Sequence, residues 1–178
     1  MKKFLKIIAQ IFFWFFLIIF QVSFISSLSY PFYNLPVFLV VLSFFLIFNK
    51  GSYVLIILVF SGFLLDSFFF YQFGLFLMSL LISFFILKFI QTNFLTNRSF
   101  YSVIILSLLF IVFFNLIFNL IDFFLYLFSL DNNFFLFKLS FWQDFFYQVL
   151  FGLILSIIFF YVISSKSKNL RSNFLEQT

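Results

Sequence analysis

Long uninterrupted runs of apolar residues restrict most strongly what this 178-residue chain can fold into. Hydrophobic residues make up 66% of the sequence and charged residues only 8%, against roughly 25% charged residues in an ordinary soluble domain. A protein in water would have to expose much of this apolar surface, so the expected solvent is lipid. Inside a bilayer every backbone amide needs an internal partner, which leaves helix bundles and closed barrels. Barrel strands alternate apolar and polar residues, and no such alternation occurs here, so the sequence predicts an all-α membrane protein.

Turn-forming and polar residues divide the apolar sequence into six predicted transmembrane helices in a single domain. The predicted spans cover residues 4–25, 36–48, 53–70, 75–90, 100–128 and 143–163. Pro36 suits the first turn of the second helix, and the alternative is a start near Phe32 with a kink at Pro36. The second span is short, because 13 residues at a rise of 1.5 Å make about 20 Å, whereas the hydrocarbon core is about 30 Å thick.

The basic residues stand at the edges of the apolar runs, which is the pattern of a topology signal. With the N-terminus in the cytoplasm, six spans place nine Lys and Arg residues on the cytoplasmic side and only Lys138 outside. The nine are Lys2, Lys3, Lys6, Lys50, Lys88, Arg98, Lys166, Lys168 and Arg171. The sequence therefore predicts that both termini are cytoplasmic and that the chain binds no nucleic acid, despite its net charge of +5.

The residue types that the chain lacks exclude several classes of enzyme. Without Cys or His it has no thiol nucleophile, no Ser–His pair and no imidazole metal ligand. It has no Gly-rich loop of the kind that holds nucleotide phosphates. Gly62 and Asp66 have the wrong spacing for the Gly-x-Gly-Asp element of an intramembrane aspartyl protease. We expect no catalytic residues, no metal and no cofactor, which leaves binding, scaffolding or passage of a solute.

Polar residues inside the predicted spans are the candidates for a site. Asp66 lies within the third span with Gly62 one turn before it, and a small residue there lets another helix approach the carboxylate. Asn115, Asn119 and Asp122 share one face of the fifth helix, as an interhelical hydrogen-bond seam or as one wall of a polar cavity. The amides of Asn115 and Asn119 are the expected partners of Asp66. Asp66 itself either joins helices or couples to a proton or ion.

Two further sets of residues are expected to shape the bundle. Small residues four apart allow close helix packing, at Ser79 and Ser83 or at Gly152 and Ser156. Further polar residues fall on the predicted outer side, near the end of the first helix and at the start of the sixth, and those of the sixth helix could be interface anchors. They are Gln21, Gln143, Asp144 and Gln148.

The segment from Gly62 to Gly74, with Asp66 four residues after the first glycine and Phe73-Gly74 about eight residues later, resembles the central motif of the rod-shape-determining protein MreD family. Gln21, Pro36 and Asn97-Arg98-Ser99 also resemble that family, as do the length and the basic ends. Gly62, Asp66 and Gly74 would then be the family's motif residues.

The resemblance implies a non-enzymatic protein of the bacterial inner membrane that takes part in peptidoglycan insertion and cell shape. Its implied partners are MreC, the actin-like MreB filament, a glycan polymerase and a transpeptidase. The implied fold is similar to the substrate-binding S components of energy-coupling-factor transporters. An S component that captures a vitamin, or another small-solute transporter, is the alternative function, and Asp66, Asn119 and Asp122 would supply its polar site.

Overall fold

The computed structural model describes residues 12–48, 52–68, 73–94, 100–129 and 139–166. Helical residues make up 93% of this part of the chain, and none of it is a β-strand, so the all-α prediction is confirmed. The described helices are α1 (Phe12–Ser27), α2 (Val37–Phe48), α3 (Ser52–Phe68), α4 (Leu75–Asn93), α5 (Phe100–Ser129) and α6 (Leu139–Lys166).

Three of these helices are long and apolar enough to cross a membrane. The segments that meet this condition are Leu75–Asn93 in α4, Phe100–Leu125 in α5 and Phe141–Val162 in α6. The described parts of α1, α2 and α3 are also apolar but shorter. The described part of the chain is therefore all-helical, and three of its helices are suited to cross a membrane.

The helix bounds differ from the predicted spans mainly at the start of α6. The helix begins at Leu139, so Phe141 and Trp142 are helical and do not belong to the preceding loop. The predicted start at Gln143 placed the polar pair Gln143-Asp144 at the membrane edge, whereas the helix carries Asp144 inside its second turn. The predicted features at residues 4–11, 49–51, 69–72, 95–99, 130–138 and 167–178 lie outside the described residues.

Pro36 is the point at which α2 begins. Leu35 has an extended backbone (ψ 112°), as expected of a residue before proline. The amide of Val40 then donates to the carbonyl of Pro36 at 3.0 Å, which closes the first helical turn. Phe32–Asn34 form a separate 3₁₀ turn. The α-helix thus begins directly after Pro36, and the 3₁₀ turn precedes it as a separate element.

The short α2 lies in the core of the bundle. Eight of its twelve residues are buried, and the α1 indole of Trp14 packs edge-on against Phe38 and Phe45 of α2. At its C-terminal end the side chain of Gln91, from α4, donates to the carbonyl of Ile47 at 3.3 Å. A helix enclosed by protein and bonded at its ends does not need the full thickness of the hydrocarbon core, which explains its length.

Successive helices run in opposite directions. The C-terminal ends of α1, α3 and α5 therefore meet the N-terminal ends of α2, α4 and α6, and we call this end of the bundle the acidic end. Asp66, Asp122 and Asp144 all lie toward it, whereas Lys88 lies toward the opposite end. These three acidic side chains and Lys88 thus lie toward opposite ends of the bundle.

Small residues lie between α5 and α6, as their spacing predicts. The hydroxyls of Ser107 and Ser156 are 2.7 Å apart in a buried contact. One turn along, a Cβ on Gly152 would collide with the tip of the Ile111 side chain. Ser79 and Ser83 of α4 are fully buried, and their hydroxyls donate to carbonyls of their own helix.

Candidate functional site

Asp66 caps the N-terminus of the helix that follows its own. Its Oδ1 accepts a hydrogen bond from the amide of Phe76 at 2.8 Å, and its Oδ2 accepts one from the amide of Leu77 at 3.2 Å. Both amides belong to the first turn of α4, where no intrahelical acceptor exists. The side chain is only 5% exposed. The positive end of the helix dipole faces the carboxylate, so α4 accommodates an acidic side chain inside the bundle.

Gly74 explains why the cap comes from another helix. It occupies the N-cap position of α4, where Ser, Thr, Asp or Asn ordinarily provides the acceptor, and it has no side chain to do so. Its φ of 98° lies in the left-handed region that favours glycine. The turn therefore needs Gly74, and α4 in turn needs an acceptor from elsewhere, which Asp66 supplies.

Gly62 brings α3 and α4 close enough for this contact. A Cβ at Gly62 would stand 2.7 Å from the Cα of Leu77, so any side chain would push against the backbone of α4. Leu77 is also one of the two residues whose amides bond to Asp66. One contact between α3 and α4 thus uses Gly62, Asp66 and Gly74, which span thirteen residues of sequence.

Asp66 is buried, as predicted. The prediction that Asn115 and Asn119 are its partners is wrong. The amide of Asn115 donates to the carbonyl of Ile111 at 2.9 Å, and that of Asn119 donates to the carbonyl of Asn115 at 2.6 Å. Both amides therefore bond within α5 and not across to α3. Sequence spacing could not reveal this, because the competing donors are backbone amides of a helix end.

α5 approaches the Asp66 cap through aromatic rings. The ring of Phe76, whose amide bonds to Asp66, lies 4.9 Å from the ring of Phe118 and 6.3 Å from that of Phe114, between centroids. Asp122, one turn beyond Phe118, is half-buried and makes no hydrogen bond to any residue in the described ranges. The predicted site residues thus divide into the α3–α4 contact and a separate polar face of α5.

A second polar cluster, which the sequence indicated only as possible interface anchors, surrounds Asp144 in α6. Its Oδ1 accepts hydrogen bonds from the hydroxyl of Tyr33 at 2.7 Å and from the amide of Asn34 at 2.9 Å. These contacts fasten the connection before α2 to the start of α6, across 110 or more residues of sequence. The hydrogen bond to Asp144 raises the pKa of the Tyr33 hydroxyl above its ordinary value. The hydroxyl stays protonated at neutral pH, and its hydrogen bond to Asp144 is lost as pH rises through that raised pKa.

Aromatic rings line the same cluster. The ring of Tyr30 meets that of Tyr147 edge-on at 5.3 Å and lies 6.0 Å from that of Tyr33. Tyr30 and Tyr33 come from the connection before α2, and Tyr147 comes from α6. No local pattern links them in the sequence, so only the packing of that connection on α6 reveals the cluster.

Gln21 caps α2 in much the way that Asp66 caps α4. Its Oε1 accepts from the amide of Phe38 at 3.1 Å, and its Nε2 donates to the carbonyl of Leu35 at 2.9 Å. The five-residue π-helical segment Phe20–Phe24 carries Gln21 at the end of α1. The first turns of α2 and α4 are both completed by a side chain from the helix before them.

The α5–α6 register aligns the remaining polar residues. Ser107 meets Ser156 and Ile111 meets Gly152, so each four-residue step along α5 corresponds to four residues back along α6. If the same four-residue step continues, Asn115 falls opposite Gln148 and Asn119 opposite Asp144. The Oε1 atom of Gln148 is buried and accepts no hydrogen bond within the described part of the chain. Gln148 and Asp144 thus lie one turn apart on α6, toward the acidic end.

These groups act chemically as fixed hydrogen-bond acceptors and donors. Asp66 and Asp144 are each engaged by two donors, and the described residues contain no cluster of three side chains suited to hold a metal ion. Comparisons with protein-family models, with curated proteins and with solved structures find no match to this chain.

Proposed function

We propose that this chain is a non-enzymatic, multi-pass scaffold of the bacterial inner membrane that acts in cell-wall elongation, as MreD proteins do. The observation that carries the proposal is the use of Gly62, Asp66 and Gly74, the residues on which the resemblance rests. All three are engaged in building the α3–α4 hairpin. A motif that shapes a rigid helix pair suits a protein that presents a fixed surface to partners within the membrane.

The exposed surface supports the same proposal. Large apolar side chains cover the outward faces of α1 and α6, among them Phe12, Phe16, Phe146 and Ile158. In a bilayer such faces contact lipid or the helices of other proteins, and tight packing between membrane helices supplies the affinity. The partners that the proposal names are MreC, a glycan polymerase and a transpeptidase, with the MreB filament on the cytoplasmic side.

A substrate-binding S component is the second candidate, and one observation favours it. Asp144 and the Oε1 atom of Gln148, which has no hydrogen-bond donor among the described residues, place hydrogen-bonding groups near one end of the bundle. A small polar solute entering from that side would find acceptors there. The same groups also suit a purely structural role, because both described donors to Asp144 come from the chain itself.

Affinity capture of the tagged chain after gentle solubilisation distinguishes the two functions. We expect wall-elongation proteins among the captured partners, and we expect depletion of the chain to turn a rod-shaped host round. Binding of a vitamin at sub-micromolar affinity, or co-purification with a pair of ATPases, would contradict the scaffold and support the transporter.

A further inference from the structure

The carboxylate of Asp144 presents one oxygen that the described chain does not use. Tyr33 and Asn34 both donate to Oδ1, and no described residue donates to Oδ2. The two bonds fix the plane of the carboxylate, because the donors come from adjacent residues of one short 3₁₀ turn. Among the described residues Oδ2 has no donor, so it is able to accept a hydrogen bond from a further group.

Two tyrosines of the Asp144 cluster keep accessible ring surface. Tyr30 is 52% exposed and Tyr33 is 37% exposed, although both rings take part in the tyrosine cluster. A cation within about 6 Å of a tyrosine ring centroid is attracted to the face of the ring. A carboxylate oxygen next to tyrosine rings is thus a combination that favours a positively charged ligand, and an anion would be repelled by Asp144.

The cluster lies at the depth of the lipid headgroups. Asp144 is three residues into the membrane-crossing segment Phe141–Val162, which places it about 5 Å from one end of that segment. Trp142, two residues before it, is exposed, as is usual for a tryptophan at the membrane–water interface. The exposed ring of Phe32, stacked on Phe151 at 5.9 Å, continues the apolar surface toward the hydrocarbon.

From this geometry we infer that Asp144, with Tyr30 and Tyr33, binds the primary ammonium headgroup of a membrane lipid. The ammonium group donates to Oδ2 and rests against the tyrosine rings, while the acyl chains follow the apolar surface past Phe32. A headgroup with N–H donors is preferred over its trimethylated counterpart, because only the former can hydrogen-bond to the carboxylate. The inference holds for a scaffold and for a transporter alike.

Lipid retention by the full-length chain tests this inference. The protein is purified from nanodiscs that contain equal amounts of ethanolamine, trimethylated (choline) and glycerol headgroup lipids with identical acyl chains. Native mass spectrometry then counts the lipids that stay bound. We expect the ethanolamine lipid to be retained several-fold more often than either of the others. Equal retention of the three lipids by the unaltered protein would overturn the inference without any variant.

Variants assign the preference to the cluster. Asp144→Asn keeps an acceptor for Tyr33 and Asn34 but removes the charge, and it should abolish the preference. Asp122→Asn removes a carboxylate at the same end of the bundle and should leave the preference intact. Persistence of the preference in Asp144→Asn would contradict the assignment. Lys138→Gln tests whether the chain's own lysine occupies Oδ2: an unchanged preference supports the lipid site, and a preference that arises only in this variant overturns it.

Discussion

Gly62→Ala should lower the free energy of unfolding by about 1–2 kcal/mol and separate α3 from α4. The added Cβ would stand 2.7 Å from the Cα of Leu77, which is backbone and cannot rotate away. Overpacking of this kind costs about 1–3 kcal/mol, and the better helix propensity of alanine returns at most about 1 kcal/mol. Reversible unfolding in mixed micelles, followed by far-ultraviolet circular dichroism, measures the change.

Gly152→Ala provides the matched control, because this glycine also lies at a close helix contact. Its added Cβ would meet the terminal carbon of Ile111, at the far end of a side chain that can adopt another rotamer. We expect a change within about 0.5 kcal/mol, since relief of the contact and the helix propensity of alanine nearly cancel. Equal losses at the two positions would show that Gly62 has no special role in the α3–α4 hairpin.

Asp66→Leu should lower the free energy of unfolding by about 2–3 kcal/mol, the second large effect. The substitution leaves the amides of Phe76 and Leu77 without acceptors in a buried position. Loss of an N-cap costs about 0.5–2 kcal/mol, and hydrogen bonds to a charged group are worth more than neutral ones. Asp66→Asn retains one acceptor oxygen and should cost about 1 kcal/mol. The same unfolding transition reports both variants.

Asp122→Leu is the control for Asp66→Leu. This carboxylate is half-buried and bonds to no described residue, so its removal should change stability little.

In a rod-shaped host, Asp66→Asn should support growth if the residue acts only as a cap. Loss of rod shape in a stably folded Asp66→Asn protein would assign a further role to the charge. Full stability of Asp66→Leu would contradict the capping function.

The sequence is sufficient to predict the helices because apolar runs and their breaks carry that information directly. Pro36 marks the start of α2, since the residue before a proline avoids helical geometry. The spacing of Gly152 and Ser156 predicts a close helix contact, which the packing of Ser156 on Ser107 confirms. Predicting the start of α6 required knowing that Asp144 has partners. In the sequence Asp144 resembles a helix boundary, because the donors that bond to it lie 110 or more residues earlier in the chain.

The partner of Asp66 illustrates what sequence alone leaves open. Asn115 and Asn119 are suitable donors by residue type and depth, but their amides bond to carbonyls of α5. The actual donors are the amides at the start of α4, and every helix has such groups irrespective of its sequence. Gly74 was the available signal: a glycine at the N-cap leaves a first turn that needs an acceptor from another element.

We propose that the helices form a six-span membrane bundle with both termini in the cytoplasm. Single cysteines placed at positions 50, 98, 132 and 168 test it directly, because the chain has no cysteine of its own. With a membrane-impermeant thiol reagent on intact cells, we expect labelling at position 132 only. The other three positions should become labelled after the membrane is permeabilised. Labelling of position 168 from outside intact cells would contradict the six-span topology with a cytoplasmic C-terminus.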